Sequence, residues 1–200
     1  MLLTDKLTAI ADGFRSSRGT TEPLSLDDMA VLAAEAVGGG GNDTSFKDVI
    51  EGTAVNPTLP SDLTKIGAYA FYKNTSLVSP SLPDGITTIE RDAFDGCTKL
   101  ALTKLPDLLT YIDVYAFTNC SALTLTSLPA GLTIINSGIF ENCTGLTTLT
   151  IKRKPSSFDY STFKGCTNLT TINVPWGEGE VANAPWGADN ATINYNYTGE

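Results

Sequence analysis

A 23-residue interval runs through the middle of the chain and constrains it more than any other feature. Phe71, Phe94, Phe117, Phe140 and Phe163 are each 23 residues apart. Leu77, Leu100, Leu123, Leu146 and Leu169 keep the same interval, as do Ile66, Ile89, Ile112 and Ile135, with Phe158 in the fifth place. Pro60, Pro83, Pro106 and Pro129 each follow a leucine and mark turns, and Ile151-Lys152 breaks that column. Cys97, Cys120, Cys143 and Cys166 form a further column, with Asn74 holding its first place. Five units cover residues 59 to 174, and Val174-Pro175 opens a sixth that does not continue. One unit this short cannot enclose a core. Its apolar side chains are buried only when neighbours stack on both sides, so the pattern predicts a solenoid. Parallel strands set the coils about 4.8 Å apart, so five coils span roughly 24 Å.

Within a unit, Leu-Thr-x-Ile (Leu109 to Ile112) alternates as a short strand does, and so does Leu146 to Ile151. The Ala-Phe-x-x-Cys piece reads as a helical or 3₁₀ turn. The spelling Leu-Pro-x-x-Ile-Thr-x-Ile, then Ala-Phe-x-x-Cys-Thr-x-Leu, resembles the BspA-like class of bacterial leucine-rich repeats. That resemblance implies a leucine-rich repeat solenoid with short parallel strands, which displays a surface for binding and carries no catalytic residues. Two departures fall at the ends of the array: Tyr72-Lys73-Asn74 ahead of the first column cysteine, and Pro155 with Phe158 in the fifth unit.

The flanks lack the repeat. Residues 1–37 read as a small helical hairpin, with Leu3, Leu7, Ile10 and Phe14 on one face and Leu26, Met29, Leu32 and Ala36 on another. Ser25 and Asp28 have capping-box spacing, and Leu24 with Met29 suits a hydrophobic staple. Residues 38–43, Gly-Gly-Gly-Gly-Asn-Asp, read as a flexible linker. Residues 44–58 read as an irregular lead-in that covers the first coil. Residues 175–200 contain Pro-Trp-Gly twice and no Lys or Arg. They read as a C-terminal cap in which Trp176, Trp186, Ile193, Tyr195 and Tyr197 cover the open end. A sugar-stacking site is the alternative for these aromatics. The segment LTAIADGFRSSRGTTEPLSLDDMA resembles short modules ahead of variable domains in phage and prophage tail-associated proteins, and the tail resembles the ends of repeat proteins from that setting.

Composition narrows the function. There is no histidine, which removes Ser–His–Asp and Cys–His catalysis and histidine-ligated metals. Net charge is −9, from 13 basic and 22 acidic residues, which disfavours nucleic acid and anionic lipid as main partners. Lys152-Arg153-Lys154 is the one basic cluster and reads as a solvated turn. No apolar run is long enough for membrane insertion. The start, MLLTDKLTAIADGFR, has no basic-then-apolar signal pattern. Four cysteines in a line do not make the tetrahedron zinc requires, and parallel Cβ vectors disfavour disulfides, so they read as buried structural thiols. Asp84 with Asp107, and Glu90 with Asp113, share columns but read as solvated charge. The sequons at Asn119 and Asn142 fall in repeat turns. No catalytic residue, metal site or cofactor is expected.

Recognition is expected on the solenoid surface, from the stripe Tyr69, Tyr111, Tyr115, Ile134 and Tyr160. An exposed aromatic can also simply pack on the next coil. The face of Ser81, Lys104, Ser127, Thr150 and Asn173 is small and polar and lacks such anchors. The expected partner is a protein or glycan on a host or bacterial surface. The sequence suggests a binding module on a phage or prophage virion, attached through residues 1–37, or made in the bacterial cytoplasm without a signal peptide. A cell-surface or secreted adhesion protein is the alternative.

Overall fold

The computed structural model describes residues 63–199, with Asn56, Leu59 and Ser61 ahead of them. The expected hairpin at 1–37, the linker at 38–43 and nearly all of the lead-in at 44–58 lie outside the described residues.

The chain winds as a coil of short strands and turns in which the strand pairings among the described residues are all parallel. In chain order the strands are β1 (Lys65–Ile66), β2 (Thr88–Ile89), β3 (Tyr111–Ile112), β4 (Ser127–Leu128) and β5 (Ile134–Ile135). There follow β6 (Thr148–Ile151), β7 (Ser157–Phe158), β8 (Thr171–Asn173) and β9 (Thr192–Asn194). They form two ladders along the stack. One holds β1-β2-β3 and then, separately, β5-β7; the other holds β4-β6-β8-β9. Register follows the repeat: Lys65 pairs with Thr88, Thr88 with Tyr111, and Thr150 with Asn173. In β1, β2 and β3 the isoleucine is buried and its neighbour faces outward, the period-two alternation of a half-buried strand.

The phenylalanine column is the axis of the core. Phe71, Phe94, Phe117, Phe140 and Phe163 are fully buried, and consecutive rings stack at centroid distances of 5.1, 5.1, 5.7 and 5.8 Å. The column leucines from Leu77 to Leu169 and the isoleucines from Ile66 to Ile135 are buried beside it.

The Ala-Phe-x-x-Cys piece is not a helix. Its backbone donors alternate: Tyr69, Phe71 and Lys73 donate to the next coil at Arg91, Ala93 and Asp95, whereas Ala70, Tyr72 and Asn74 donate back three residues. A helix would send every donor back along its own turn. Left-handed residues at both ends enforce the alternation: Tyr69, Asp92, Tyr115 and Gly138 in one column, and Lys73, Gly96, Asn119, Asn142 and Gly165 in another. Asn119 and Asn142 stand in this second column, where asparagine tolerates positive φ. Their amides join a line along the surface, Asn142 Nδ2 to Asn119 Oδ1 at 3.0 Å and Asn119 Nδ2 to Asp95 Oδ1 at 2.9 Å.

Each column cysteine donates its thiol proton to the carbonyl of a phenylalanine one coil back. Sγ to O is 2.9 Å for Cys97 to Phe71, 3.1 Å for Cys120 to Phe94, and 3.0 Å for Cys143 to Phe117 and Cys166 to Phe140. Burial holds Cys120 and Cys143 well above the ordinary thiol range and pushes Cys166 up to about 12.

The sixth turn, expected to stop at Val174-Pro175, runs on. Trp186 occupies the place 23 residues after Phe163, which donates its backbone N–H to the Trp186 carbonyl at 2.9 Å. Trp186 is fully buried, stacks on Phe158 at 4.2 Å, and donates Nε1 to the Ala182 carbonyl at 2.8 Å. Further on the coil is two residues tighter, so β9 pairs with β8 at Thr171–Thr192, an interval of 21. Tryptophan fills the volume of Phe and its neighbours, so this turn closes the core without the repeat spelling. Trp176 packs edge-on against Trp186 at 6.3 Å, and its Nε1 is the one buried side-chain polar atom without a hydrogen-bond partner among the described residues.

Candidate recognition surface

The strand ladder that carries Tyr111 and Ile134 is interrupted between them. β3 and β5 are not paired. On the neighbouring coils the donor after the column isoleucine comes from the backbone, as from Asp113 N to Ile89 O at 2.9 Å and from Asp159 N to Ile135 O at 3.0 Å. At the break it comes from a side chain, Asn136 Nδ2 to Ile112 O at 2.7 Å. Tyr111 is 40% exposed and Ile134 43% exposed on the two sides of this parting.

The five residues expected to form one stripe occupy three columns. Tyr111 and Ile134 share the outward strand position. Tyr69 and Tyr115 share the left-handed corner, two coils apart with Asp92 between them. Tyr160 belongs to the position just before that corner.

Their environments differ as well. Tyr111 donates its hydroxyl to Asp113 Oδ1 at 3.1 Å, and burial, followed by the Asp113 charge, raises its pKa. Tyr115 lies over the next coil: a Cβ built on Gly138 would stand 2.3 Å from its ring, so only glycine leaves room for it there. It is still 39% exposed. Tyr69 is half-buried, sits edge-on to Tyr72 at 5.6 Å, and has its pKa raised by burial and then by Asp92. Tyr160, at 70% exposure, is the most open of the set.

Leu108, 61% exposed, was not singled out by the sequence. Its column reads Asp62, Gly85, Leu108, Gly131, Lys154, so a large apolar residue between two glycines was the available signal. The structure therefore gathers Leu108, Tyr111 and Tyr115 on one coil and Ile134 on the next.

Of the paired carboxylates, Glu90 and Asp113 are engaged in the scaffold, whereas Asp84 and Asp107 are exposed. Glu90 bridges Lys65 at 3.1 Å and accepts from Ala68 N at 3.0 Å, and Asp113 accepts from Val114 N at 2.8 Å as well as from Tyr111. Asp92 and Asp95 have carboxyl pKa values raised by burial. No group of three or more metal-ligating side chains occurs among the described residues.

A family model for the BspA type leucine rich repeat region (6 copies) matches residues 43–177, two thirds of the chain. The chain belongs to the BspA type leucine-rich repeat family. The match takes in the 44–58 segment. Solved structures are similar too. A leucine-rich repeat protein of T. pallidum is 29% identical with a TM-score of 0.53, over 71% of this chain and 69% of that one. One from Bacteroides ovatus is 28% identical with a TM-score of 0.52. That match covers 60% of this chain and 31% of the B. ovatus protein, so this BspA-type chain spans about a third of its length. The pneumococcal vaccine antigen PcpA shares the fold at 15% identity and a TM-score of 0.51, over 72% of this chain and 42% of that one. No functionally curated protein matches the chain.

Proposed function

We propose that this repeat module is a non-enzymatic recognition element that holds a protein or glycan of a cell surface against the Tyr111–Ile134 region of the solenoid. The observation that carries the reading is the exposure of Leu108, Tyr111, Tyr115 and Ile134 on two successive coils, each held by strand pairing to its outer neighbour. Amphipathic aromatics on a rigid frame lose little entropy on binding and suit an interface centre. Tyr160 extends the contact toward the C-terminal coils. The nearby Glu90 and Asp113 carboxylates are tied to lysine, backbone amides and the Tyr111 hydroxyl, which supports a binding rather than a catalytic role. Residues 1–37, with their likeness to phage and prophage tail-associated modules, support attachment to a virion or larger assembly. A cell-surface adhesion protein is the second reading, and tail genes or surface-anchoring genes beside the coding sequence separate the two.

The test is a pull-down against bacterial envelope fractions with folding followed by urea denaturation. Changing Tyr111 and Tyr115 to Ala together abolishes envelope binding while the array stays folded. Deleting residues 1–41 leaves binding intact and abolishes incorporation into an assembly. If the deletion removes envelope binding and the tyrosine changes leave it untouched, the two parts have been assigned the wrong way round.

A further inference from the structure

The other ladder carries a groove of different chemistry. It is an open cleft of about 470 Å³ where β4 and β6 meet the C-terminal tail, lined by Thr126, Ser127, Thr150, Lys152, Tyr197 and Thr198 among others. Some hydroxyls along this stack are spent on the scaffold. Those of Thr87, Thr110, Ser156 and Thr170 each donate to a carbonyl one coil back, at 2.9 to 3.3 Å. In the groove, the hydroxyls of Thr126, Ser127 and Thr198 have no partner among the described residues. Thr150 Oγ1 accepts from Asn173 Nδ2 at 3.3 Å and keeps its own proton to give.

The tail wall is held in place. Asn196 adopts φ 55°, which turns the chain back, and donates its backbone N–H to Trp176 O at 3.0 Å; Tyr197 N donates to Val174 O at 2.9 Å. Gly199 runs along one edge of the Tyr197 ring, and 40% of Tyr197 remains exposed. Lys152 supplies charge. Lys65, Lys154 and Lys164 each face a carboxylate, at 3.1, 2.7 and 3.2 Å, whereas Lys152 and the adjacent Arg153 make no ion pair among the described residues. Arg91, Lys99 and Lys104 likewise make no ion pair among the described residues; what marks Lys152 is its place on the groove wall beside free hydroxyls.

We propose that this groove binds an acidic saccharide, a hexuronate-type unit. The sugar ring lies on the Tyr197 face, its hydroxyls exchange hydrogen bonds with Thr126, Ser127, Thr150 and Thr198, and its carboxylate meets Lys152. A ring with an apolar face and a polar rim matches an amphipathic aromatic wall, and a charged hydrogen bond fixes its orientation. The site is separate from the Tyr111–Ile134 region and does not depend on it.

Isothermal titration of the full chain with galacturonate tetramer, neutral galactose tetramer and inorganic phosphate tests this. The uronate tetramer binds, the neutral tetramer binds more weakly, and phosphate neither binds comparably nor competes. Lys152→Gln weakens uronate binding by about tenfold or more and brings it to the neutral level. Tyr197→Ala weakens both sugars, and the Tyr111→Ala, Tyr115→Ala double change alters neither. Urea midpoints equal to the parent confirm that the groove variants are folded. Absence of uronate binding, an unchanged affinity in Lys152→Gln, or phosphate binding as well as the tetramer overturns the proposal, and none of these results bears on envelope binding through the tyrosines.

Discussion

A thiol is nearly apolar yet still carries a proton donor, and the cysteine column uses both properties. Cys120 and Cys143 fill the core beside the phenylalanine rings while each Sγ–H reaches the carbonyl of Phe94 or Phe117 on the coil before. Burial favours the neutral thiol, so the folded chain holds its thiol protons more tightly than the unfolded chain, whose thiols ionise near 9. The stabilisation is fully present below pH 9 and is lost as pH rises through the folded-state values. Between pH 9 and about 11, each buried thiol makes the unfolding constant rise about tenfold per pH unit. Replacing Cys120 and Cys143 with Ser keeps a donor and removes two of these contributions. Urea unfolding over that pH range then gives a flatter stability profile for the variant than for the parent; identical slopes contradict the assignment. The column itself was legible in the 23-residue spacing. Its hydrogen bonds were not, because a partner 26 residues away is defined only once the coil is closed. The left-handed corners were half legible: Gly96, Gly138 and Gly165 announce positive φ, whereas Tyr69 and Tyr115 in the same setting carry no such signal. Tyr69 is half-buried at such a corner, edge-on to Tyr72.

Strands of two to four residues have little stability of their own, and each depends on the coil above and below. Two elements escaped the sequence for that reason. The parting of β3 from β5 arises where Asn136 replaces a backbone donor with its side chain, and nothing in the spacing of Ile112 and Ile135 foretells it. The sixth turn escaped because its residues are chemically unlike the repeat: Trp186 stands in the Phe column, and β9 pairs at an interval of 21. The recognised spelling ends at Val174, but the packing does not. Trp186 is consequently buried as the last member of the aromatic column. Trp186→Ala should cost roughly 3–5 kcal/mol in urea denaturation, as for other buried aromatics. A loss below about 1 kcal/mol would mean that the tail merely rests on the Phe163 coil.

Across the whole molecule, the 23-residue period, the parallel pairing and the continuous core describe one stack in which stability depends on neighbours. The same stacking keeps the exposed tyrosines and the polar groove in fixed positions on separate ladders. Both kinds of surface were within reach of the sequence to different degrees: exposed aromatics stood out by type, whereas a groove built from Thr126, Lys152 and Tyr197 joins positions with no common spacing. The dependence on neighbours is open to direct measurement. Phe117 stacks on rings from both sides, at 5.1 and 5.7 Å, whereas Phe71 stacks within the phenylalanine column on Phe94 alone among the described residues. Equilibrium urea unfolding of Phe117→Ala and Phe71→Ala compares the two positions at constant chemistry. Stacking predicts a loss of roughly 3–5 kcal/mol at Phe117 and a clearly smaller loss at Phe71. A loss at Phe117 equal to or below that at Phe71 would contradict it.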